Sequence, residues 1–175
     1  MDIPFIKGNG FNLRELSEND LEGNWYKWFN DSVVTKYQNK GIFPNTRENQ
    51  KKYLLYLQSS DSDVVMAIVS AETNKHLGNV GLHNINWVHR SAELGIVIGE
   101  KEYHGKKYGK QAWKLITEYG FNILNLHRIY ALIMEKNIAS IKCAEAAGFS
   151  REGEIKDYFY KNGTYEKVFY YNILK

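Results

Sequence analysis

At 175 residues the chain fits one domain and is long enough to bury a core without disulfide or metal staples. Its formal net charge of +3 is mild and its basic residues are spread along the chain, which argues against a dedicated nucleic-acid binder with a basic stripe or tail. The lone cysteine, Cys143, excludes an internal disulfide framework and fits a reducing compartment. No apolar stretch approaches the ~20 residues that span a bilayer, and no secretory signal is visible, so no membrane association and a cytoplasmic location are expected.

Phe11-Asn12-Leu13-Arg14-Glu15-Leu16 alternates apolar and polar as a half-buried strand does. Ser17 with Asp20 has the form of a capping box, and Leu21, Trp25, Trp28 and Phe29 predict the apolar stripe of a first helix. Phe43-Pro44-Asn45 breaks the chain. A second helix is expected over residues 46–58, with Tyr53, Leu54 and Leu57 inward. Residues 64–70 and 77–86 read as strands joined by the polar turn Glu72-Thr73-Asn74, an antiparallel pattern. The second half alternates: strand 92–99, helix 109–124, strand 127–134, helix 138–147, then a strand from Phe149. Strands joined by a crossover helix are normally parallel neighbours. Ile129, Ala131 and Ile133 alternate with Tyr130, Leu132 and Met134, so strand 127–134 is apolar on both faces and belongs inside a covered sheet. Asn162-Gly163, between β-rich runs, predicts a closing hairpin. The fold class is therefore mixed α/β, antiparallel early and parallel in its second half.

Ile96-Val97-Ile98 is β-branched and suits a buried strand. It leads into His104-Gly105-Lys106-Lys107-Tyr108-Gly109-Lys110, a turn that opens a helix with Ala112, Leu115, Ile116, Tyr119 and Ile123 at helical spacing. Backbone N–H groups at a helix start, the positive end of its dipole, and Lys106, Lys107 and Lys110 together make an anion site suited to a phosphate-bearing cofactor. An ordinary strand-to-helix connection with solvated lysines is the alternative. His83 and His89 lie six residues apart without a cysteine or local acidic cluster, and that spacing argues against a metal site.

Three further blocks follow in order: His89-Arg90-Ser91-Ala92-Glu93, Asn125-Leu126-His127-Arg128-Ile129-Tyr130, and Gly148-Phe149-Ser150-Arg151-Glu152-Gly153. With the turn and Asn137-Ile138-Ala139-Ser140, the arrangement resembles the GCN5-related N-acetyltransferase (GNAT) superfamily, in its ribosomal-protein and spermidine acetyltransferase branches. The resemblance implies a mostly antiparallel twisted sheet with a central splayed parallel pair, flanked by four helices. It implies acetyl-CoA as co-substrate, with no metal, and a small-molecule or N-terminal amine as acceptor, a two-fold assembly being compatible with the long terminal hairpin. The family's pyrophosphate loop, Gln/Arg-x-x-Gly-x-Gly/Ala, falls on residues 104–109, where Gly109 matches, His104 replaces Gln or Arg, and Lys107 stands where glycine is usual. The pantetheine arm would lie along Ile96, Val97 and Ile98, and Asn137 and Ser140, at the next helix start, would meet it. Asn137 is equally a plain helix cap.

Acetyl transfer needs a deprotonated amine, a stabilised oxyanion and a departing thiol. Glu93 is the candidate base, directly or through water, its alternative being an edge-facing carboxylate or a partner of Arg90. A backbone N–H near Val97 or Ile98 would hold the oxyanion. The tyrosine that many relatives place seven residues after the asparagine is Ala144 here, and the adjacent Cys143 points about 100° away on a helix. Among Trp25, Trp28, Phe29, Tyr37 and Phe43, one or two would wall the acceptor pocket. The acceptors that the resemblance implies are a polyamine, an amino-sugar nucleotide or a protein N-terminus. The terminal half is near spermidine enzymes, while Thr35-Lys36-Tyr37 and Phe43-Pro44 look more like acetyltransferases of surface-sugar pathways. A non-catalytic CoA- or nucleotide-binding module is the rival.

Overall fold

The computed structural model describes residues 4–175. One eight-stranded sheet is formed by β1 (Ile6–Lys7), β2 (Phe11–Glu15), β3 (Val64–Ser70), β4 (His76–Asn86), β5 (Ser91–Ile98), β6 (Arg128–Met134), β7 (Ser150–Lys161) and β8 (Thr164–Leu174). Its order is β1-β2-β3-β4-β5-β6-β8-β7. Every pairing is antiparallel except β5 with β6. Four helices accompany it: α1 (Trp25–Trp28), α2 (Arg47–Ser59), α3 (Tyr108–Asn122) and α4 (Ile138–Ala146). None of the described helices is long and apolar enough to cross a membrane.

Local chemistry accounts for most boundaries. Thr46 caps α2, its hydroxyl accepting from the Asn49 N–H at 3.1 Å. Asn162 and Gly163 both take positive φ, the conformation of a tight type I′ turn between β7 and β8. The first helix departs from expectation. Residues 18–22 form a 3-10 turn, and Gly23-Asn24 separates it from a single turn of α1. Asp20 explains the interruption. It accepts the Ser17 N–H, as the capping box requires, and also binds the Arg14 guanidinium through both oxygens at 2.7 and 2.8 Å. A buried ion pair thus anchors this segment to β2 where a longer helix was expected.

Strand alternation divides the interior between the two faces of the sheet. Met66, Ile68 and Leu94 join one core with Trp113 and Ile116 of α3. Ala67, Val69 and Val97 join the other with Trp25 and Trp28 of α1 and Leu54 of α2. The Trp28 ring lies so close to Gly99, just past β5, that a Cβ there would approach it to 1.8 Å. Glycine is required at that position for contact rather than for φ.

Candidate active site

Backbone alternation along β5 positions the site. Gly99 N–H donates to Leu77 O at 2.9 Å, and the register continues through Asn79–Val97, Gly81–Gly95 and His83–Glu93. Those β5 residues turn their backbone groups toward β4, so Leu94, Ile96 and Ile98 turn theirs toward β6. Yet β6 pairs only with Ser91, Ala92 and Glu93, and beyond Glu93–Tyr130 the strands diverge. Side chains stand in for the missing partner: Gln38 Nε2 donates to Ile96 O at 3.1 Å, and His104 Nε2 to Ile98 O at 2.8 Å. Val97 is the odd member of its triplet, with its side chain in the α1–α2 core.

A cleft of about 240 Å³ occupies the divergence, walled by Leu94 to Ile96 on one side and Ala131 to Met134 on the other. Asn137 and Ser140 close its end, with Asn137 Oδ1 accepting the Ser140 N–H at 3.2 Å as a cap of α4. This leaves the Asn137 amide Nδ2 as the donor not used by the cap. Trp113 also lines the cleft. It is 2% exposed, and its indole N–H has no hydrogen-bond partner among the described residues. Its helical spacing reads as core, and only the strand divergence turns it toward a cleft.

Beside the open end of β5, the turn from His104 feeds α3. Gly105 and Lys107 both have positive φ, 76° and 68°, and α3 starts at Tyr108 with no side-chain cap. The backbone thus keeps the left-handed geometry that a glycine would favour, although Lys107 occupies the place. Gln111 N–H makes the first intrahelical bond, to Lys107 O at 3.1 Å, so the N–H groups of Tyr108, Gly109 and Lys110 head the helix. Gly109 packs over Ile96 and Ile98, and Lys106, Lys107 and Lys110 are exposed around the turn.

On the other face of β5 lies a larger cavity of about 760 Å³, between the segment 38–45, α2 and the floor of β3 to β5. Phe29, Phe43 and Tyr53 are its aromatic walls, Tyr37 lines the smaller cleft, and Trp25 and Trp28 are core. Gln38, Asn39, Glu93, Gly95 and Ile96 border both cavities. Glu93 is half-buried there, 3.4 Å from Asn84 Nδ2 rather than in an ion pair with Arg90. His83 lines the larger cavity and contacts Asp63 at 2.9 Å, whereas His89 sits on the exposed turn after β4.

Residues 29–46 form no strand or helix, yet they are held closely. Asn30 and Asn45 exchange two side-chain to backbone bonds of 2.7 Å, and Lys161 of β7 donates to the carbonyls of Thr35 and Gln38. Burial lowers the Lys161 ammonium below its ordinary range. Ala144 is fully buried. Cys143 packs against the α3–α4 core, where burial pushes its thiol up and the Lys110 charge only partly opposes this.

A family profile described as an acetyltransferase (GNAT) domain matches residues 11–150. The chain belongs to the GNAT acetyltransferase family. An uncharacterized N-acetyltransferase of Bacillus licheniformis is 30% identical over 167 residues, covering 93% of this chain and 92% of that protein. Spermidine N(1)-acetyltransferase of Escherichia coli K12 is 43% identical over 91 residues, which is 52% of this chain and 48% of that enzyme. Among solved structures, spermidine N-acetyltransferase of Vibrio cholerae, in complex with CoA and spermine, superposes with a TM-score of 0.86 at 27% identity, covering 94% and 95% of the two chains. The GNAT sheet with its single parallel pair and four helices is thus present, as the sequence blocks implied.

Proposed function

We propose that this GNAT protein moves an acetyl group from acetyl-CoA to a primary amine by direct attack in a ternary complex, with residues 1–175 acting as one catalytic domain. The observation that carries this reading is the pair of cavities on opposite faces of β5, which share Glu93, Gly95 and Ile96 as a common border. A thioester entering between β5 and β6 would meet an amine from the larger cavity only there. In this assignment the diphosphate rests on the turn His104 to Lys110, on the N–H groups that head α3. The pantetheine arm lies along the gap-facing backbone of Ile96 and Ile98, near the Asn137 amide and Ser140. Of the gap-facing N–H groups on this part of β5, those of Ile96 and Ile98 are the candidates to hold the oxyanion, and Val97 supports the strand from below.

Glu93 attracts the ammonium and takes its proton, directly or through water. The CoA sulfur leaves as thiolate, a thiol of ordinary pKa ~8.5 being a fair leaving group, or takes a proton from water. Ala144 and Cys143 have no part in that step. A thiol-release assay over spermidine, glucosamine, an amino-sugar nucleotide and an N-terminal peptide tests the assignment, with calorimetry of acetyl-CoA binding beside it. CoA release on at least one amine supports it. Tight acetyl-CoA binding with release on none would favour the binding-module reading, which Ala144 in place of tyrosine motivates.

A further inference from the structure

The larger cavity also holds a paired histidine and aspartate. His83, on β4, is the register partner of Glu93 on β5. Its Nδ1 lies 2.9 Å from Asp63 Oδ1. An ionised carboxylate only accepts, so Nδ1 carries a proton in this contact, and in the neutral form of the ring the lone pair lies on Nε2. Asp63 is itself fixed, its Oδ2 accepting from Tyr56 Oη at 2.6 Å, Ser60 Oγ at 2.9 Å and Ser62 Oγ at 3.2 Å. Burial raises the Asp63 carboxyl, but the bonds from Tyr56, His83 and Ser60 outweigh it and hold the group below its ordinary value.

The free edge of the imidazole lies over Gly95. A Cβ there would come within 3.1 Å of Cδ2 and 3.2 Å of Nε2. Gly95 borders both cavities, so Nε2 sits where amine and thioester would meet. Among the described residues, the other titratable groups around this pair are Glu93 from β5, Tyr53 and Tyr56 from α2, and Lys40 from the segment 38–45, its Nζ 5.6 Å from the centre of the Tyr53 ring. Tyr53 is pushed up to about 12 by burial and then by the charges of Asp63 and Tyr56, so it stays protonated.

We propose that His83 is a catalytic proton acceptor for the amine, with Asp63 as its positioning residue and Glu93 as its partner. This rests on the acetyltransferase reading. The ammonium passes one proton to Nε2, directly or through the Glu93 carboxylate. The freed nitrogen pair forms the C–N bond while the carbonyl pair moves to oxygen. That pair returns as the C–S bond breaks, and the second N–H proton passes by water to the departing thiolate. The proton on His83 then leaves to solvent, since its side chain is 29% exposed. A carboxylate alone is a poor destination for an ammonium's proton, the two classes lying about a millionfold apart in acidity. An imidazole closes about a hundredfold of that gap.

The test follows the pH dependence of kcat/KM for the full chain with acetyl-CoA and the amines of the panel above. His83→Asn keeps an N–H for Asp63 at the Nδ1 position and has nothing at Nε2. It is expected to lower kcat/KM about a hundredfold and to remove the acidic limb of the profile, with KM for acetyl-CoA within about twofold of wild type. Asp63→Asn is expected to cost about tenfold and to keep a displaced limb, which a merely structural role would not move. His83→Gln is read by the same criteria if His83→Asn does not fold. An active wild type whose histidine variant keeps both rate and acidic limb overturns this proposal alone. A wild type that binds acetyl-CoA and acetylates no amine overturns the acetyltransferase reading, and this proposal with it.

Discussion

On one side of β5 the smaller cleft is walled mostly by regular elements, namely β6, β7, the head of α4 and one face of α3, with Tyr37, Gln38 and Asn39 also lining it. On the other, the larger cavity leans on residues 38–45, within a stretch that forms neither strand nor helix. The first side is held by backbone ladders and apolar packing, with Trp113, Ile116, Leu82 and Ile129 in one core. The second is held by side chains reaching backbone: Asn30 to Asn45, Gln38 to Ile96, Lys161 to Thr35 and Gln38. Periodic structure tolerates surface change without moving a cleft, whereas a segment tied by individual polar bonds can be re-tied by single substitutions. Within one fold, the regular side suits an unchanging ligand and the irregular side a variable one.

Breaking the foundation of the irregular side gives the largest expected effect. Asp20→Asn leaves the buried Arg14 guanidinium without its carboxylate, a loss of about 3–5 kcal/mol for a broken buried pair. For a chain of this size that lowers Tm by roughly 6–20 °C, measured by calorimetry. The same pair sets an acid limit. Burial raises the Asp20 carboxyl, but the Arg14 bonds, the nearby His76 and the Ser17 N–H outweigh it, so its folded pKa lies below the ordinary 3.8. A depressed carboxyl contributes stability that is present above the unfolded value and lost as pH falls through the folded one. The wild type should therefore lose stability below about pH 4, and Asp20→Asn should show a flatter decline there.

Next is Glu93, the residue both sides share. Glu93→Gln is expected to lower kcat by about ten- to a thousandfold with acetyl-CoA affinity unchanged, as calorimetry and single-turnover rates would show. Unchanged turnover across the pH range would remove Glu93 from the mechanism. A smaller effect is expected on the irregular side alone. Lys161→Met removes the donor that clamps Thr35 and Gln38, and one charge-assisted bond of about 1.5 kcal/mol corresponds to a roughly tenfold rise in KM for the amine. KM for acetyl-CoA should hold within about twofold. Equal changes in both constants would mean that the two cavities do not behave as separate sides.

What could be read from the chain follows the same division. The second helix starting near Thr46, Asn162-Gly163 as a hairpin, and the strand–turn–helix from Ile96 to Ile116 carry local signals and appear where expected. Aromatic walls were anticipated only as a group, and Phe29 and Phe43 are the members that line the larger cavity. Asp63 beside His83, and Lys161 beneath Thr35, join residues 20 and 126 positions apart, and no periodicity announces such contacts. Leu21, Trp25 and Trp28 are buried as their spacing implies, yet not on one helix, because Asp20 answers to Arg14.

The smallest effect sharpens the regular side, at a lysine held in a backbone conformation that favours glycine. Lys107 holds φ 68° and ψ 0° at the start of α3, a left-handed conformation that costs an L-residue roughly 1–2 kcal/mol. Lys107→Gly removes that cost but loosens the unfolded chain by about 0.4–1 kcal/mol. The net expectation is a Tm rise of about 2 °C, near the lower end of what about 1 kcal/mol gives at this length. The same change removes an exposed cation beside the proposed diphosphate site, where an exposed charge pair is worth up to about 1 kcal/mol, so acetyl-CoA should bind up to about fivefold more weakly. Opposite signs make the two contributions separable in one variant, by thermal unfolding without ligand and calorimetry with it. A fall in Tm would show that Lys107 is not strained at this turn, and unchanged affinity would move the diphosphate away from it.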